Sequence, residues 1–435
     1  MRVKRRLPPS PGRFVGFTVW GFILAVLLVC TYLSAHIPLF GKNANDEFAY
    51  LYFARNLTHG TYAVASNQTD YHYLWHGPGL PLLLAPFTAL HLPVSALRLV
   101  GPLSLLGAGV LFTRVLSRFV SSWAALLGGV VLSVYPPLLE ELPRIAAEPF
   151  ALMLLIGALL ALVKSQETGA MRWAILAGLL GGWMVLARSE EGWLLLVGLV
   201  VSTLLLSRRR DRRDLLTVMS IAVATLVCVP WLVYTASLAH KVPYWDSAGG
   251  ASLYWMAVPA GVGSYMNTHQ ALTLPQLRSE RPFIASIQGL PQVERDSRMQ
   301  TAAIKAIENH PANFASHVLD NISRLLLNRP YSFAGSPGRT SLVYYALPNI
   351  ILGFALLIAL VRLLRRRPAI PYIAWFVIIF GALNFVLHVP VAGYPRMMAL
   401  TIPAVVLLIA LGWSGPLPEP NRELAGQNIG LRPYM

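Results

Sequence analysis

Three features of this sequence predict an all-α polytopic membrane protein with about ten transmembrane helices. Hydrophobic residues make up 55% of the 435 and charged residues only 12%, about half the charged share of a soluble domain. Apolar runs near the length that crosses a ~30 Å hydrocarbon core recur along the whole chain. Lys and Arg gather at alternate ends of these runs, which is the positive-inside pattern of membrane proteins. Such a composition excludes a soluble globular domain, and its apolar share excludes a disordered chain.

The elements follow in order. A basic start, Met-Arg-Val-Lys-Arg-Arg, precedes an apolar run over 14–36 with no small-residue cleavage site, so it is expected to stay as a first span with the N-terminus inside. Further spans are expected over 93–113, 121–138, 147–164, 172–188, 191–207, 215–238, 341–361, 370–388 and 397–413. The stretch 172–207 is too long for one crossing, and the charged Arg188-Ser189-Glu190-Glu191 divides it into two. Basic clusters at Arg208–Arg213 and Arg362–Arg367 fall on the inner side of this alternation. Almost the whole net charge of +16 lies on that side, so it marks topology and not a nucleic-acid footprint.

Two outward segments exceed simple connections. The first, about 37–92, belongs with a transmembrane core over 1–238. The second, 239–340, is rich in Pro, Gly and polar residues, and its latter half reads as helices over 291–309 and 312–328 on either side of His310-Pro311. The spans of 341–413 and a short cytoplasmic tail, 414–435, complete the chain. Cys30 and Cys228 both sit within apolar runs, which argues against a disulfide framework or a thiolate metal site.

Candidate chemistry begins just outside the first span with Asn45-Asp46-Glu47-Phe48. Phe48, Leu51, Ala54 and Leu57 recur every three residues, as in a short amphipathic helix lying on the membrane surface. Asn45 could cap that helix, with the two acids favouring its positive end. Alternatively, a carboxylate at this depth faces the headgroup of a lipid-bound substrate and can serve as general base toward a hydroxyl. At 100° per residue Asp46 and Glu47 cannot point the same way, so one is expected to carry chemistry and the other to support it. Further on, Tyr71-His72-Tyr73-Leu74-Trp75-His76-Gly77-Pro78-Gly79 forms a stiff interfacial turn. His72 and His76 stand at the i, i+4 spacing of a metal pair, but the adjoining Gly and Pro disfavour the helix this needs.

Asp46-Glu47, an aromatic stretch and then His76-Gly77-Pro78-Gly79-Leu80-Pro81 resemble the protein O-mannosyltransferases and the lipid A aminoarabinose transferases, C-type (GT-C) glycosyltransferases with polyprenyl-phosphate sugar donors. Gly77 departs from the His-Pro-Pro of the former and His76 from the Lys-Pro-Pro of the latter. The resemblance extends to Arg144-Ile-Ala-Ala-Glu148, similar to a second acidic site, and to Arg188-Ser-Glu190-Glu191-Gly192, similar to an Arg-x-Glu-Gly turn. It extends also to Asn309-His-Pro311 and to Gly393-Tyr394-Pro395-Arg396 before the last span. Tyr244-Trp245-Asp246 is only faintly like the Trp-Trp-Asp of oligosaccharyltransferases and reads as an aromatic anchor.

The resemblance implies an inverting membrane glycosyltransferase acting on the outer face of a bacterial inner membrane, with both termini cytoplasmic. Asp46 would be the general base, with Glu47 and Glu148 supporting acids. His76, Arg188, Tyr394 and Arg396 would bind substrate, Arg396 through the bidentate match of guanidinium to phosphate. Each outlying residue also has a plainer reading: Glu148 as a first-turn acid, Arg188 paired with Glu191, Arg396 as a snorkelling arginine. The implied partners are the polyprenyl-phosphate sugar, an envelope acceptor (lipid, glycan or protein) and the bilayer. No resident cofactor is implied, and a divalent cation is left open. The competing function is a non-enzymatic carrier or flippase for lipid-linked sugars. Such a carrier would be expected to place charges inside its spans, which are nearly free of them here.

Overall fold

The structure is a computed structural model, and it describes residues 13–33, 45–62, 74–259, 268–328, 346–368, 370–391 and 393–414. All its regular elements are helical among these residues. They are α1 (Arg13–Leu33), α2 (Asn45–Leu57), α3 (Gly79–Ala89), α4 (Val94–Leu97), α5 (Val100–Leu116), α6 (Ser122–Ser133), α7 (Pro136–Leu139), α8 (Ala147–Thr168), α9 (Met171–Ala187), α10 (Gly192–Arg209) and α11 (Arg212–Ala239). Then come α12 (Gly249–Ala257), α13 (Thr268–Thr273), α14 (Arg281–Ile287), α15 (Gln292–Asn309), α16 (Pro311–Leu327), α17 (Leu347–Arg366), α18 (Tyr372–His388) and α19 (Ile402–Ser414).

Six stretches are long and apolar enough to cross a membrane: Val15–Tyr32, Val94–Leu116, Ala147–Thr168, Ser189–Arg209, Arg212–Ala239 and Leu347–Arg366. They make this a multi-pass membrane protein. At the four other expected spans the apolar helices α6, α9, α18 and α19 are shorter, at 12, 17, 17 and 13 residues. The reasons are local. Pro136 and Pro137 follow α6 and stop it short of the expected 138. The last expected span starts late because Pro395–Leu400 forms a 3-10 turn, after which Pro403 sits in the first turn of α19, where a missing N–H costs nothing. The break inside 172–207 takes the form of a 3-10 turn, Ser189–Glu191, between α9 and α10.

α8 lies at the centre. It is apolar around its whole circumference and mostly buried, packing on α5 and α9. α1 and α17 sit at the periphery, with Phe17, Phe22, Phe354 and Leu357 exposed as lipid-facing residues should be. α2 differs from the sequence expectation. Its buried face is Ala49, Tyr50, Phe53 and Ala54, while Phe48, Leu51 and Leu57 are only half-buried. The helix is therefore seated in the main core, against α3, and does not lie free on a membrane surface. Stacking of Phe53 on Tyr62, with ring centroids 4.3 Å apart, holds it there.

The segment after α11 builds a unit with its own core: Tyr254, Trp255, Leu277, Ile284, Ile287, Met299 and Ala303, from α12 to α15, close on one another. Buried His317 and Asn321 of α16 anchor this unit, His317 Nδ1 lying 2.8 Å from the Met256 carbonyl and Asn321 Nδ2 donating to the Val389 carbonyl at 3.0 Å.

Candidate active site

The acids and cations singled out above come from the ends of helices, and the folds of those ends bring them together. Glu148 sits in the first turn of α8, where the helix dipole favours a negative charge. Arg188 closes the C-terminal end of α9, where the dipole favours a positive one. His388 is the last residue of α18, and Arg396 opens the 3-10 turn before α19. The opposite ends of α10 and α17 carry Arg208, Arg209, Arg365 and Arg366, so the cluster and the basic clusters occupy opposite ends of the bundle.

Arg396 is the hub. Its Nη1 lies 2.8 Å from Asp46 Oδ2 and 3.8 Å from Glu141 Oε2, and its Nε lies 3.5 Å from Glu148 Oε1. The Tyr394 ring lies 5.8 Å below the guanidinium carbon. Asp46 also faces His76 Nε2 at 3.7 Å. Burial would raise the Asp46 carboxyl, but the positive charges of Arg396 and then His76 outweigh it and hold its pKa at about 2. Burial pushes the His76 imidazole below its ordinary value, although Asp46 opposes this. Glu141 is driven the other way: burial lifts it to about 7 against the pull of Arg396 and Arg144.

His76 is held from three sides. Tyr62 Oη donates to its carbonyl at 2.7 Å, and the Tyr50 ring lies 4.6 Å from the imidazole. Beyond it, the chain runs directly over the end of α9. A Cβ on Gly77 would collide with the Leu186 carbonyl, and one on Gly79 with the backbone of Ala187. Glycine at these two positions is what lets the turn carrying His76 lie backbone-to-backbone against the segment that carries Arg188.

Arg188 does not pair with Glu191. Its Nη1 donates to Glu148 Oε1 at 2.8 Å, and its Nη2 lies 2.5 Å from Glu190 Oε1 and 3.5 Å from His388 Nε2. His388 Nδ1 sits 2.8 Å from the Asn384 carbonyl, which fixes the ring so that Nε2 faces Arg188 and, at 3.9 Å, Glu190 Oε1. Glu148 thus bridges the two arginines.

Glu47 points elsewhere. It is buried and takes a two-pronged contact from Arg98, Nε to Oε1 at 2.8 Å and Nη2 to Oε2 at 3.0 Å. It also accepts the Ile145 N–H at 3.3 Å. It therefore ties α2 to the start of α5 and to the loop before α8, and so fixes where Asp46 stands. His72 lies outside the described residues. Among those described, no group of three His, Cys, Asp or Glu side chains is arranged to hold a metal ion.

Residues 75–234 match the family model described as dolichyl-phosphate-mannose-protein mannosyltransferase. The resemblance to GT-C glycosyltransferases holds. The matched stretch contains His76, Glu148 and Arg188, while Asp46 and Arg396 lie outside it. A search of curated proteins finds no match. Among solved structures, the archaeal oligosaccharyltransferase AglB from Archaeoglobus fulgidus, in complex with an inhibitory peptide and a dolichol-phosphate, is 15% identical, with a TM-score of 0.49 over 92% of this chain and 50% of its own. ArnT from Cupriavidus metallidurans bound to undecaprenyl phosphate is 16% identical, with a TM-score of 0.40 over 91% of this chain and 77% of its own. Its apo state is 15% identical, again at 0.40, over 93% and 78%. The chain thus spans half the length of AglB.

Sequence reading missed several members of the cluster. Glu141 and Glu190 each stand beside a second glutamate, Glu140 and Glu191, and residue type alone does not say which of each pair enters the cluster. His388 and Asn384 lie in an apolar run, where an intramembrane polar residue was itself the available signal. Asn384, with its amide nitrogen toward Glu191 and its oxygen accepting from Thr401 Oγ1 at 2.8 Å, fixes the turn between α9 and α10 from below. Asp246, read as part of an aromatic anchor, accepts from Ser189 Oγ at 3.0 Å. Its neighbour Trp245 lies flat on Gly192, where any Cβ would enter the indole ring.

Proposed function

We propose that this protein is an inverting glycosyltransferase that moves a sugar from a polyprenyl-phosphate carrier to a hydroxyl of a cell-envelope acceptor on the outer membrane face. One observation carries the reading: the Arg396 guanidinium lies among the Asp46, Glu148 and Glu141 carboxylates at the end of the bundle opposite the basic clusters. A cation at headgroup depth suits a lipid phosphate, and a carboxylate beside it suits a hydroxyl that must lose its proton. The family match over 75–234 agrees with this chemistry.

In this reading the acceptor oxygen attacks the anomeric carbon as the carbon–oxygen bond to the phosphate breaks. The bonding pair leaves with the phosphate, and the hydroxyl proton passes to Asp46. Arg396 holds the phosphate as its charge grows, and Arg188 supplies a second cation. A carboxylate held at about 2 is a weak base, so the exchange of Arg396 from Asp46 to the phosphate matters. Once the guanidinium turns to the donor, burial raises the Asp46 carboxylate into a range where it accepts a proton. His76 and Tyr394 frame the two partners, and Glu47 is a positioning residue.

The test is transfer of labelled sugar from a polyprenyl-phosphate donor by the detergent-purified protein, wild type against Asp46→Asn. Transfer lost with donor binding kept supports an enzyme with Asp46 as base. Donor binding with no transfer by the wild type to any envelope extract returns the protein to a carrier.

A further inference from the structure

Next to the cluster, the outer helical unit carries an open recess of about 480 Å³, counted out to its solvent-filled mouth and bounded in part by Trp75, Ser247, Trp255, Gln288, Gln292 and Arg295. Apart from Trp75, every described residue on its walls comes from the segment 247–299, so it belongs to the unit outside the bundle. It shares no residue with the Arg396 cluster but is joined to it twice through the chain. Trp75 precedes His76, which lies 3.7 Å from Asp46. Ser247 follows Asp246, which accepts from Ser189 Oγ at 3.0 Å. The Ser247 N–H donates to the Leu74 carbonyl at 3.1 Å and so clamps the two walls together.

The walls carry polar groups that the protein leaves unanswered. Ser247 and Trp255 are each 1% exposed, yet Ser247 Oγ and Trp255 Nε1 have no hydrogen-bond partner among the described residues. Orphaned buried donors are costly, and a site that keeps two of them invites a ligand that answers them. The two charged residues on its walls, Arg295 and Asp296, are of opposite sign, and each is hydrogen-bonded within the protein. Asp296 accepts from the Gly250 N–H at 2.6 Å and from Tyr244 Oη at 3.2 Å, and Arg295 is engaged by Gln292. That leaves the half-buried Trp75 ring, planar amides and two orphaned donors, with no surplus of charge. Such a set fits a neutral, polyhydroxylated ring, whose C–H face lies on an indole while its hydroxyls meet the amides.

We propose that this recess is the acceptor subsite, and that the acceptor is a glycan. The inference rests on the transferase reading above, since a donor whose lipid tail stays in the bilayer leaves the outer unit to the second substrate. A sugar ring beside Trp75 and Ser247 extends toward His76 and Asp46, where one of its hydroxyls can be activated.

The experiment is saturation-transfer NMR on the full-length protein in detergent, with mannotriose, maltotriose and chitotriose as saccharide probes and a Ser/Thr-rich peptide as the competing class. The wild type and Asp46→Asn should both bind a trisaccharide. Ser247→Ala and Trp255→Phe should each weaken that binding by about fivefold to tenfold, the worth of one hydrogen bond. Ser247→Ala should keep its melting temperature, because the hydroxyl removed has no partner among the described residues to lose, whereas Trp255→Phe also empties part of the unit's core and should lower it. Gln288→Ala, on an exposed side chain that folding does not need, should weaken binding comparably. No trisaccharide bound by the wild type, binding of the peptide instead, or binding indifferent to all three substitutions would each overturn the proposal. Because binding is read without turnover, a failure of Asp46 as base shows up separately, in transfer alone.

Discussion

Arg396→Lys and Arg396→Ala separate the charge of this side chain from its shape. The guanidinium serves two carboxylates through different nitrogens, Nη1 at 2.8 Å from Asp46 and Nε at 3.5 Å from Glu148. One ammonium cannot span both, nor can it present two parallel donors to a phosphate. The loss of one charge-assisted contact is worth about 1.5–3 kcal/mol, so the Lys variant should turn over roughly tenfold to a hundredfold more slowly. Removing the charge altogether should cost about 10²–10³, the usual scale for deleting a group that stabilises a growing negative charge. The resting enzyme adds a second readout. Burial alone would raise Asp46, and Arg396 is the foremost cation holding it at about 2. The acid limb of kcat/KM reports the free enzyme, so it should lie far below neutrality in wild type and Lys variant and move up in the Ala variant. The assay is donor-dependent transfer by purified protein over a range of pH, with KM for the donor measured alongside. Equal turnover, equal donor KM and an unmoved acid limb in all three proteins would refute the phosphate role and leave Arg396 a snorkelling residue.

Other outcomes follow from the same geometry. Asp46→Asn keeps size and polarity but removes the proton acceptor, so transfer should fall by about 10² or more while donor binding survives; normal transfer would dismiss it as the base. Glu47→Ala strands the buried Arg98 guanidinium and should destabilise the protein by about 3–5 kcal/mol in thermal unfolding, with part of the loss recovered in the double variant Glu47→Ala/Arg98→Ala. Full additivity of the two changes would deny the pairing. Glu141 should give stability a pH slope. Its carboxyl, raised from 4.5 to about 7 by burial, keeps a proton in the fold that the unfolded chain releases earlier. Stability should therefore decline as pH rises from about 4.5 to about 7 and level off beyond, and Glu141→Gln should flatten that decline. An unchanged slope in the Gln variant would place the proton elsewhere. Single cysteines labelled from outside intact cells should react at Gln288 and not at Arg209 or Arg366, and the reverse pattern would invert the orientation.

Much of the fold is legible in the sequence because its causes are local. Apolar runs fix where helices lie, and Pro or charged breaks fix where they stop, as at His310-Pro311 and Arg188–Glu191. The cluster was partly legible for the same reason. Glu148, Arg188 and Arg396 stand at helix ends, where a charge is conspicuous against an apolar background. Tertiary structure decides what each of them meets. Arg188 had a plausible partner three residues away in Glu191, yet it pairs with Glu148, 40 positions earlier, because α8 and α9 pack side by side with their site-facing ends together. Glu47 and Asp46 are adjacent and chemically alike, and only the packing of α2 into the core sends one to Arg98 and the other to Arg396. The period-three stripe of α2 failed as a guide for a related reason: a short helix covered on more than one side buries the face its neighbours offer, and residue spacing along one helix carries no record of those neighbours. The sequence by itself determined the helices, the membrane and the charged ends; which charges share a site was decided by contacts between segments far apart in the chain.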